Sequence, residues 1–101
     1  MARARIPIPF EQVAELCRAH HIKKLSLFGS VLRVDFRPDS DIDVLVEFES
    51  GQRVGLFLLS RIERELAKLL GRPVDLKTAG FISPDFRAEV QREAEVEYVA
   101  P

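Results

Sequence analysis

The chain has 101 residues, 47% hydrophobic and 31% charged, with a formal net charge of -1 and a pI of about 6.1. That length holds one core and not two, and the near-neutral balance offers no bulk attraction to DNA or RNA. A single cysteine excludes a disulfide framework and suits a reducing cytoplasm. No apolar run approaches the thickness of a bilayer, so no membrane association is expected.

MARARIPIPF opens with two arginines and no long apolar stretch behind them, so it does not read as a signal peptide. Pro7 and Pro9 make an extended lead-in. Phe10, Val13, Ala14, Leu16 and Cys17 recur at helical spacing and predict a helix over about 9–20, with Cys17 packed rather than reactive. His20 and His21 follow at its end. Adjacent histidines on a helix diverge by about 100°, so a surface role is expected rather than a metal site.

Leu25 to Phe28 predicts a short buried strand, and residues 41–49 a longer one. Leu56, Leu59, Ile62, Leu66, Leu69 and Leu70 predict an amphipathic helix over 54–70, closed by Gly71 and Pro73. Val74 to Ala79 predicts a third strand. Ser83 is a candidate N-cap and Pro84 a first helical residue, opening a helix to about 95 anchored by Phe86 and Val90. The tail EYVAP is compatible with an edge strand. Together these predict a single domain over 1–101 of the α/β (α+β) class, with helices packed on one face of a small β-sheet whose strand order and direction the pattern leaves open.

The stretch SLFGSVLRVDFRPDSDIDVLVEF does not fit that plain pattern. In DIDVLVEF, alternation sends Ile42, Val44, Val46 and Phe48 to one face and Asp41 and Asp43 to the other, their α-carbons about 6.6 Å apart. Two carboxylates that close repel unless a cation offsets them. A hard divalent ion such as Mg²⁺ does so, taking one or two carboxylates with water and phosphate oxygens. Asp75, between Val74 and Leu76, would join them if its strand lies alongside. Three carboxylates on one face can hold two metal ions about 3.5–4 Å apart, the spacing that clamps a phosphoryl transfer.

Gly29 and Ser30 follow a strand and open a predicted short turn over Val31, Leu32 and Arg33. Backbone N–H groups there, unobstructed at Gly29, would hold phosphate oxygens, with the Ser30 hydroxyl and the Arg33 fork as further donors. Lys77, Arg37 and Arg53 are read as surface charge, and Tyr98 as packed with a wet hydroxyl.

Gly-Ser, ten residues, then Asp-x-Asp resembles the signature of the DNA polymerase β-like nucleotidyltransferase superfamily. A chain this short is most similar to its minimal nucleotidyltransferases, over about residues 10–96. The resemblance implies a palm-like fold with a small mixed β-sheet, Asp41, Asp43 and Asp75 as catalytic metal ligands, and Gly29 and Ser30 gripping the β,γ-phosphates. Minimal members commonly read Gly-Ser-x-Ala-Arg-Gly; here Leu32 and Val34 replace the Ala and the second Gly, and Arg33 is kept. The implied reaction is transfer of AMP from ATP, with two Mg²⁺ ions.

Nothing in the sequence forms a groove for a nucleic-acid acceptor, so acceptor recognition is expected from a partner. The resemblance implies a HEPN-domain toxin, with this chain as antitoxin modifying a tyrosine hydroxyl; an oligomer is possible. Val54, Leu56 and Phe57 could offer a contact surface, but a core role is the favoured reading. Two alternatives stay open: a non-catalytic nucleotide-binding or toxin-neutralising module, and a transferase acting on a small molecule such as an aminoglycoside.

Overall fold

The computed structural model describes residues 6–32, 40–78 and 84–101. The order of elements is α1 (Phe10–Ala19), β1 (Ile22–Phe28), a 3-10 turn (Gly29–Leu32), β2 (Ile42–Phe48), α2 (Leu56–Leu70), β3 (Val74–Thr78), α3 (Pro84–Glu93) and β4 (Glu95–Val99). The four strands form one sheet in the order β3-β2-β1-β4. β1 is antiparallel to both its neighbours, while β2 and β3 run parallel, with α2 as the connection between them.

Register explains the core. Leu25 pairs with Val46 and Leu27 with Val44 across β1 and β2, and Ile42 and Val44 pair with Val74 and Leu76 across β2 and β3. These side chains share a face, and Val13, Leu16 and Cys17 of α1 with Leu59, Ile62 and Leu66 of α2 close over it. Cys17 is fully buried, and burial pushes its thiol up to about 12, far from a reactive thiolate. Gly71 ends α2 in the left-handed region, its N–H donating to the Ala67 carbonyl at 2.8 Å.

Several sequence expectations shift. β1 begins at Ile22, not Leu25, because a strand paired on both sides satisfies the backbone of Lys23 and Lys24 regardless of their charge; Ala100 N–H donates to the Lys23 carbonyl at 2.7 Å. The tail does form an edge strand, β4, with Tyr98 packed against the core.

His20 is not simply a surface residue: its side chain is largely buried, with Nε2 3.2 Å from Glu65 Oε1, joining α1 to α2. Leu56 and Phe57 leave the core they were expected to join, being 74% and 95% exposed, while Val54 packs against it. Phe57 lies about 200° around the helix from Leu59, which puts it on the opposite side from the buried stripe. Phe86, expected as an anchor, is 60% exposed.

Candidate active site

The polar end of the sheet is built around Asp43. In the register it stands between Phe28 of β1 and Asp75 of β3. Parallel neighbours at the same level present their side chains to the same face about 4.8 Å apart, so Asp43 and Asp75 are side by side. Val74 and Leu76 are buried and Asp75 between them is half-buried, the alternation expected from the sequence. Asp41 lies one residue ahead of β2 and is exposed. The next residue, Ile42, donates its N–H to the Pro73 carbonyl at 2.9 Å, which ties the start of β2 to the start of β3.

Gly29 opens the 3-10 turn that follows β1 and has φ of +76°. The Asp43 carboxylate occupies the space where a β-carbon on Gly29 would stand, so any side chain there would collide with Oδ2. Val31, two residues on, is fully buried and pins the turn to the core. Backbone strain and close approach thus both require glycine at this point. Ser30 belongs to the same turn, though its side chain, like Arg33, Val34, Arg37 and Ser83, lies outside the described residues.

Lys77 was expected to be plain surface charge. Two residues on from Asp75 and on the same face of β3, its Nζ lies 2.9 Å from Asp75 Oδ2. The residue types in VDLK allowed this contact, but only an i, i+2 pair on a described strand makes it specific. A second contact was illegible. Glu63 of α2 accepts the Leu76 N–H at 2.9 Å, occupying a backbone donor of the outermost strand. A hollow of about 330 Å³ adjoins it, lined by Leu56, Leu59, Ser60, Glu63, Leu76 and Lys77.

Among the described residues no three His, Cys, Asp or Glu side chains converge closely enough to hold a metal ion. Asp43 is engaged beside Gly29 and Asp75 by Lys77. The donor chemistry nevertheless fits Mg²⁺, which needs only one or two carboxylate oxygens, with water and phosphate completing its shell.

Comparison with known proteins identifies the family and the fold. The family model for the nucleotidyltransferase domain matches residues 11–98. The chain is 40% identical to the candidate protein adenylyltransferase MJ0435 of Methanocaldococcus jannaschii, over 74% of this chain and 78% of that protein. It is 29% identical to protein adenylyltransferase MntA of Thermococcus cleftensis, over 85% and 93%.

Among solved structures, a candidate minimal nucleotidyltransferase superposes with a TM-score of 0.70 at 40% identity, covering 84% of this chain and 85% of that one. Two toxin–antitoxin complexes share the fold at lower identity. One, with AMP-PNP, has a TM-score of 0.74 at 20% identity over 92% and 75%. The other, a tri-AMPylated Shewanella oneidensis HEPN toxin with an MNT antitoxin, has a TM-score of 0.64 at 19% over 90% and 70%.

Proposed function

This chain belongs to the nucleotidyltransferase domain family, and from that premise we propose that it moves AMP from ATP onto a tyrosine hydroxyl of a HEPN-domain toxin, acting as its antitoxin. The observation that carries the reading is the row Phe28–Asp43–Asp75 across three strands, with Gly29 turned against the Asp43 carboxylate. The adenylyltransferase names of the relatives and the partners and nucleotide of the structural neighbours support it.

In this reading Asp43 and Asp75, with Asp41 just ahead of β2, would hold Mg²⁺, which when bound would supply positive charge against the triphosphate and the departing pyrophosphate. Backbone N–H groups of the Gly29–Ser30 turn bind β- and γ-phosphate oxygens, with the Ser30 hydroxyl and Arg33 as further donors. The acceptor oxygen bonds to the α-phosphorus while the bond from α-phosphorus to the bridging oxygen breaks and pyrophosphate leaves. Asp75, at the open edge of the sheet, takes the hydroxyl proton.

The test is transfer of label from α-labelled ATP to the partner toxin with Mg²⁺. Asp43→Asn removes one anionic donor while keeping the shape of the side chain, so transfer should fall at least 100-fold with the melting temperature nearly unchanged. Full activity in that variant would overturn the reading. Tight complex formation without label on the partner would instead favour a non-catalytic binding module.

A further inference from the structure

A cavity of about 320 Å³ opens against Gly29, walled by Phe28 and Gly29 on one side and by Phe86, Glu89, Val90 and Glu93 of α3 on the other. Its volume lies within the roughly 300–1,000 Å³ of small-molecule sites. Phe28 stands beside Asp43 in the register, and Gly29 abuts the Asp43 carboxylate. The cavity therefore begins where the proposed phosphate site ends. Phe86 is 60% exposed, and a phenyl ring open at a cavity wall gains buried area from a flat partner. Carboxylates are acceptors only, so Glu89 and Glu93 suit hydroxyl donors and disfavour phosphate.

We propose that this cavity takes the nucleoside half of the nucleotide, the base stacking on Phe86 and the ribose 2′- and 3′-hydroxyls donating to Glu89 and Glu93. The inference rests on the nucleotidyl-transfer reading above and adds a specificity to it. Every base has a flat face, so stacking tolerates base changes, whereas the carboxylates require the hydroxyls. The protein therefore discriminates ribonucleotides from deoxyribonucleotides more strongly than one base from another.

Calorimetric titration of the full chain with ATP, 2′-deoxy-ATP and inorganic tripolyphosphate, each with Mg²⁺, separates the two halves. Wild-type protein should bind ATP several-fold more tightly than 2′-deoxy-ATP. Phe86→Ala should weaken ATP about tenfold, the scale of one lost base stack, and leave tripolyphosphate unchanged, which also reports an intact fold. Glu89→Gln should narrow the gap between ATP and 2′-deoxy-ATP. An unchanged ATP-to-tripolyphosphate ratio in Phe86→Ala, or equal binding of ATP and 2′-deoxy-ATP by wild type, overturns the inference alone. Wild-type protein that binds neither ATP nor tripolyphosphate overturns the transfer reading and the inference together.

Discussion

Gly29 and Lys77 set the character of the site one residue at a time. At Gly29 a positive φ and the Asp43 carboxylate leave no room for a β-carbon. Gly29→Ala should cost at least about 1 kcal/mol in backbone strain alone, and more through displacement of Asp43. Denaturant unfolding would read that cost, and nucleotidyl transfer should fall with it. Lys77 is a counter-charge to Asp75, but both side chains are more than a third exposed, so solvent screens the pair to about 0–1 kcal/mol. Lys77→Met leaves Asp43 and Asp75 adjacent without that cation. The variant should melt slightly lower without metal and gain more in melting temperature from Mg²⁺ than wild type does.

Among elements, the two outer strands are handled differently. β3 has a backbone donor covered by Glu63 from the helix that precedes it. β4 carries a carboxylate in an awkward place. Burial first, then the hydrogen bond that the protonated Glu97 carboxyl donates to Glu95 and the Glu95 charge, push Glu97 up to about 8, and its Oε1 is buried with no hydrogen-bond partner among the described residues. The folded chain thus holds a proton that the unfolded chain releases near the ordinary 4.5. The stability linked to Glu97 is fully present below about 4.5 and is lost as pH rises through about 8. Glu97→Gln, which cannot ionise, should flatten the fall in melting temperature between pH 5 and 8.5. Thermal scans across that range, wild type against variant, check the slope.

For the molecule as a whole, burial separates residues that build the core from those left at the surface. Ile62 is fully buried at the centre of α2, and Ile62→Ala should cost about 2–5 kcal/mol. Phe57, five residues earlier and 95% exposed, should tolerate serine within about 0.5 kcal/mol. Chemical denaturation of both variants tests the contrast, and equal losses would contradict the fold. The same helix thus carries a packed stripe and an uncovered apolar turn, and the sequence pattern alone reads both as core.

What the sequence determined by itself is local. The helical spacing of α1 and α2, the alternation that sends Asp43 and Asp75 away from the core, and the glycine at the turn all follow from backbone periods of 3.6 and 2 and from steric limits on φ. Those rules act over a few residues and are written in the order of the side chains. The tertiary structure decided which distant residues meet. Parallel pairing of β2 with β3 across the α2 connection brings Asp75 level with Asp43, and the close of β1 lays Gly29 against that carboxylate. The same packing leaves Leu56, Phe57 and Phe86 outside, because a small sheet covered by α1 and α2 has room for only part of the apolar surface that periodicity marks as buried.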